Sequence, residues 1–146
     1  MIYRKTFLLF LPGLFLLGCD QTNFENTETS LVRWYIQEDV LTGAGLFRTH
    51  CANCHGEEAQ GRIKEWMRRD EAGNFPAPPL NGTAHAWHHP LAILDRVITD
   101  GGLPLGGTMP AFSSQLNERE RAQVIAYFQS FWDEDIYEKW EMINNQ

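Results

Sequence analysis

The pentapeptide Cys51-Ala52-Asn53-Cys54-His55 constrains this chain more than any other stretch. Two thiols three positions apart on a helical turn can each form a thioether to a haem vinyl group. The histidine that follows is then held beneath the iron as its proximal ligand. Other uses of the motif fit less well. A zinc site would need a second pair of ligands at proper spacing, and no cysteine follows the motif. A thioredoxin-like redox pair would sit in βαβ patterning, which is not seen here. A structural disulfide between Cys51 and Cys54 would leave His55 unused. The expected cofactor is one haem c, covalent through Cys51 and Cys54, with His55 on the metal.

Length and composition narrow the rest. A chain of 146 residues is enough for one ordinary domain. With 43% apolar and 21% charged residues it is a folding chain, not a disordered one. A net charge of −7 argues against a nucleic-acid partner, which needs a basic face. Three cysteines are too few for a disulfide framework. No apolar run reaches the length of about 20 residues that a membrane span needs.

Residues 1–18 read as a bacterial export signal. Arg4 and Lys5 form the positive start, and Phe7 to Leu17 the apolar segment, interrupted by Pro12 and Gly13. Leu16-Leu17-Gly18-Cys19 resembles the lipobox of bacterial lipoproteins, which implies cleavage before Cys19 and acylation of its sulfur. The alternatives are a plain signal peptide that contains a cysteine and an uncleaved marginal anchor. Loss of Arg4 and Lys5 takes the net charge from −7 to −9, which is expected to steer the protein toward electropositive partners. Asp20 after the cysteine resembles an inner-membrane retention signal, so the expected location is the periplasmic side of the inner membrane. Residues 19–33 are polar with little periodicity and read as a lipidated flexible tether. A free segment of this length has a reach of roughly 20 Å.

The coarse map beyond it is all-α. Ile36, Val40, Ala44 and Phe47 recur every three or four residues and predict one buried helical face. Pro90 suits a helix start. Leu91, Leu94, Val97 and Ile98 form the next stripe, closed by Gly101-Gly102. Asn117 and Glu120 predict a capping box, followed by Val124, Ile125, Phe128, Phe131 and Trp132 on one face. No strand-period segment, repeat or phosphate-binding loop is seen.

From Trp34 to Trp132 the order and spacing of these features resemble a class I, monohaem cytochrome c domain. Gly43 to Phe47 is similar to that family's N-terminal helix, and Val124 to Phe128 to its C-terminal helix. The resemblance implies three to five helices wrapped around one covalently bound haem, with Gly43 and Phe47 meeting Val124 and Tyr127. Glycine inside a helix costs about 1 kcal/mol against alanine, so close backbone approach is the reason to expect one there. The domains so read are 1–18 signal, 19–33 tether, 34–132 cytochrome domain and 133–146 acidic extension.

The resemblance also implies the rest of the site. Of Met1, Met67, Met109 and Met142, only Met109 lies in a loop that resembles the family's Met-Pro loop, Gly106 to Phe112. It is the expected sixth ligand, and a thioether there favours Fe(II). A core methionine, a second histidine from His85, His88 or His89, and an open iron are the alternatives. Pro78-Pro79-Leu80 resembles the segment whose proline carbonyl accepts from the proximal imidazole, so Pro78 would orient His55 and Leu80 would pack on the haem edge. Trp87, or His85, would hydrogen-bond a haem propionate.

Two stretches depart from the minimal pattern. Residues 56–75 are long for a loop and read as a short helix and turn, a solvated face or a docking patch. His85-Ala86-Trp87-His88-His89 has the composition of a copper or zinc site. The tail from Asp133 is expected to be a solvated terminal helix, with Ile136, Tyr137 and Trp140 available to pack.

A metal held on both faces has no place for a substrate. The expected function is single-electron transfer, Fe(III)/Fe(II), between periplasmic or membrane-bound respiratory partners, with no enzyme activity and no small-molecule substrate. Two other classes remain open. One is a haem- and copper-binding sensor or assembly factor using His85, His88 and His89. The other is a peroxidase or gas-binding protein, if Met109 is not a ligand.

Overall fold

The apolar stripes become helices. The computed structural model describes residues 32–103 and 106–144. The export signal, Cys19 and residues 19–31 of the tether lie outside the described residues. The elements are α1 (Gln37–His50), α2 (Ala52–His55), a single 3-10 turn (Ala86–His88), α3 (Leu91–Asp100), α4 (Glu118–Gln129) and α5 (Glu134–Asn144). There is no strand among the described residues. No described helix is long and apolar enough to cross a membrane.

α1 and α4 form the main packing. Asp39 accepts from the backbone of Ile36 to start α1, and Cys51 N–H closes its last turn on Phe47 O. The buried side of α1 is Gly43 and Phe47. A Cβ at position 43 would stand 1.9 Å from the carbonyl oxygen of Gln123 and 3.1 Å from the Tyr127 Cβ. Phe47 is fully buried, with its ring centroid 5.1 Å from that of Tyr127. The expected contact of the two helices is therefore present, and the missing side chain of Gly43 permits it. Ile36 is not on that face. It sits ahead of the first helical turn and is 63% exposed.

The contact yields a stability prediction. Gly43→Ala places a methyl group against backbone that cannot turn aside, as a side chain could. Overpacking of this kind costs about 3 kcal/mol, the upper part of its usual range, and outweighs alanine's better helix propensity of about 1 kcal/mol. Denaturant unfolding of the haem-loaded protein should show a net loss of roughly 2 kcal/mol. An unchanged midpoint would mean that α1 and α4 do not approach this closely.

α4 starts as the sequence predicts. Asn117 Oδ1 accepts from Glu120 N–H at 3.0 Å, and Glu120 Oε2 accepts from Asn117 N–H at 2.8 Å. Val124, Ile125, Phe128 and Trp132 are buried, but Phe131 is 38% exposed because the helix ends at Gln129 and its register is lost. α3 buries Leu94 and Ile98 and ends at Gly101, φ +78. Arg121 of α4 holds Asp95 of α3 at 2.7 Å.

Two expectations are corrected. Residues 56–75 form turns and no helix. Ile63, Trp66 and Met67 have helical spacing, but Ile63 and Met67 are exposed at 50% and 72%. A short helix with no face to bury is not stable in water. The acidic tail, in turn, is not a solvated appendage. α5 buries Tyr137 and Trp140 completely, against Trp132 and the 3-10 turn. Arg33 lies over the Tyr137 ring at 3.8 Å, and Tyr35 meets that ring edge-on.

Candidate haem site

Cys51 ends α1, and one helical turn later come Cys54 and His55. That turn exists because Cys54 N–H and His55 N–H both bond to Cys51 O, at 3.0 and 2.9 Å. Gly56, φ +81, then breaks it. Both thiols are free, with Cys51 buried and Cys54 exposed. Burial pushes the Cys51 thiol up to about 11, and the neighbouring Cys54 adds to the rise. A raised thiol is the reverse of what a dithiol redox catalyst needs.

His55 is 7% exposed, and its Nδ1 lies 2.8 Å from Pro78 O. A carbonyl only accepts, so Nδ1 carries the proton and the lone pair is on Nε2. Desolvation lowers the pKa of the ring below its ordinary value, and the Pro78 bond opposes this in part. The neutral ring that results is the form that binds a metal. This donor set fits a covalent haem: two unpaired thiols on one turn, followed by a buried neutral imidazole whose second nitrogen has no hydrogen-bond partner among the described residues.

The structure brings the other expected residues to the same apolar cluster. Leu80, Trp87 and Met109 are partly buried and pack on the cluster that contains Cys51. The Met109 segment is locked to the end of α3. Gly102 N–H donates to Met109 O at 2.9 Å, and Gly107 N–H donates to Gly102 O at 2.9 Å. At Gly101 a Cβ would stand 2.6 Å from Met109 O, so a side chain there would expel the loop.

The histidines divide: His85 stays beside His89, and His88 turns to Trp87. His85 stacks on Trp66 at 5.2 Å and meets His89 edge-on at 5.5 Å, while Trp87 packs against His88 at 3.7 Å. Burial and the neighbouring His89 and His88 lower the His85 pKa. Among the described residues no three His, Cys, Asp or Glu side chains are grouped to hold a metal ion.

Some contacts around the site were not foreseen. Trp132 Nε1–H donates to Leu80 O at 2.7 Å, and Trp140 Nε1–H donates to His89 O at 2.9 Å. Tyr127 Oη donates to Glu57 O at 2.8 Å. Ala59, fully buried at φ +57, accepts at its carbonyl from both Leu80 and Asn81. A buried indole N–H needs an acceptor, which was the available signal, but its partner 52 residues away was not readable. Arg62 Nη1 also donates to Asn53 O at 3.0 Å.

An all-helical domain with this turn, this oriented histidine and this helix pair is a c-type cytochrome domain. Residues 38–128 match the family model described as "Cytochrome C oxidase, cbb3-type, subunit III", and the chain belongs to that family. No curated protein and no solved structure matches it. Membership implies a covalently bound haem c, an electron-carrying module and redox protein partners.

Proposed function

We propose that the protein is a monohaem electron carrier, or the electron-transfer subunit of a respiratory oxidoreductase, anchored through acylated Cys19 to the periplasmic face of a bacterial inner membrane. One observation carries the reading of the site. His55, buried and neutral, donates from Nδ1 to Pro78 O and keeps Nε2 free, one residue beyond two free thiols. Cys51 and Cys54 would hold the haem, and His55 and Met109 would be the ligands of its iron. When bound, the haem supplies a one-electron Fe(III)/Fe(II) couple.

The chain's own residues make that couple fast and selective. The Pro78 carbonyl fixes the tautomer and angle of His55. The lock between Gly101-Gly102 and the Met109 segment holds the second ligand's backbone, so little needs to reorganise between the two oxidation states. Leu80 and Trp87, packed on the apolar cluster that contains Cys51, would limit the access of water to the haem. Cys19 and the export signal fit this placement, because covalent haem attachment in bacteria takes place outside the cytoplasm.

The test uses protein matured in a host competent for haem attachment. Intact mass should show one haem per chain and acyl groups on Cys19. Voltammetry should show one reversible one-electron wave. Carbon monoxide should leave the spectrum of the reduced protein nearly unchanged, because both axial positions are filled. Rapid carbon monoxide binding would overturn the carrier reading in favour of an open, ligand-binding iron.

A further inference from the structure

Trp132 lies beyond the residues that the family model spans, which end at 128, yet its ring is 3% exposed and its Nε1–H reaches Leu80 O at 2.7 Å. Leu80 is two residues from Pro78, whose carbonyl receives His55 Nδ1–H at 2.8 Å. The segment between them is held on its other side, since Leu80 N–H donates to Ala59 O at 2.7 Å. Gly82, at φ +93, passes so close to the indole that a Cβ would stand 3.2 Å from Trp132 Cδ1. A continuous path therefore runs from Trp132 through Leu80 and Pro78 to His55. Trp140 makes a chemically similar bond, but to His89 O, outside this path.

We propose that Trp132 is a positioning residue for the proximal ligand: its indole N–H holds the Pro78–Leu80 segment where the Pro78 carbonyl can take a short hydrogen bond from His55. The inference rests on the reading of His55 as the iron ligand. The bond to Pro78 raises the basicity of the imidazole, which favours Fe(III). Trp132 therefore holds the reduction potential lower than it would otherwise be. If its N–H is lost, the segment relaxes, the His55 bond lengthens, the ligand donates less and the potential rises.

The experiment compares haem-loaded native protein with Trp132→Phe and Trp140→Phe. Each variant keeps an aromatic ring and loses one buried N–H donor. Both should unfold at lower denaturant concentration than the native chain. Only Trp132→Phe should raise the midpoint potential and lower the iron–histidine stretching frequency of the reduced, five-coordinate form prepared with Met109→Ala. Gly82→Ala disturbs the same contact without removing the indole. It should shift the potential in the same direction, and it supplies the reading if Trp132→Phe does not accumulate. Equal shifts in the two tryptophan variants, or none in Trp132→Phe and Gly82→Ala, would overturn the inference. If Met109→Ala alone, reduced and five-coordinate, shows no iron–histidine mode, the assignment of His55 itself fails instead.

Discussion

Chain carrying Cys51→Ala and Cys54→Ala, matured in a host that attaches haem, is expected to retain no haem through denaturing electrophoresis. Its intact mass should be that of the bare polypeptide, against complete loading of the native chain. On the proposed reading the two thiols are the attachment points: among the described residues they are the cysteines present, both are free, and they lie on one turn fixed by bonds to Cys51 O. The folding consequence is also large. Cys51 is 8% exposed, within the same apolar cluster as Phe47, Leu94 and Ile98. A covalently attached haem stays on the unfolded chain, but its ligand bonds and apolar contacts form only in the folded one, and that stabilisation is lost when no haem is attached. The double variant should therefore melt far below the native protein and be degraded when exported. Haem that survives denaturation of the double variant would show that attachment runs through other residues.

Met109→Ala is expected to abolish the methionine-to-iron charge-transfer band of the oxidised protein. It should also lower the midpoint potential on the order of 0.1–0.3 V, a fraction of the roughly 0.8 V that axial ligands span. The sign follows from the ligand's chemistry, because a thioether stabilises Fe(II) and its loss favours Fe(III). The change is expected to be local. The loop's backbone is held by Gly102 N–H on Met109 O and by Phe112 N–H on Ile98 O, and neither bond involves the methionine side chain. Carbon monoxide, nearly without effect on the native protein, should bind the reduced variant. If the band persists in Met109→Ala, another methionine is the sixth ligand, and Met67 and Met142 become the ones to replace in turn; a native protein without the band would point instead to His85, His88 or His89.

How much of this was readable in the chain differs from residue to residue. Asn117 and Glu120 are three apart and cap each other, so their bond is a property of local sequence. The stripes at Leu94 and Ile98 and at Val124, Ile125 and Phe128 were legible for the same reason, because spacing along one helix decides which face is apolar. Ile63, Trp66 and Met67 have a similar spacing and form no helix. Periodicity states what a helix could bury, but it does not supply the surface to bury it against. The tail failed in the opposite direction. Its many carboxylates suggested a solvated helix, yet Tyr137 and Trp140 are among the most buried side chains. Average charge says little about the one face that meets the core.

The attachment turn and its histidine are chemistry of adjacent residues, and five positions of sequence suffice to specify them. The cap on α4 is similarly local. What the chain does with the imidazole Nδ1 is not local. The Pro78 carbonyl reaches His55 across 23 positions, and Trp132 reaches Leu80 across 52. A hydrogen bond depends on a few tenths of an ångström and on direction, and those are set only when the folded chain brings distant backbone within reach. The composition of the site was thus written in order along the polypeptide, whereas its alignment came from the packing of helices whose contacts no linear pattern specifies.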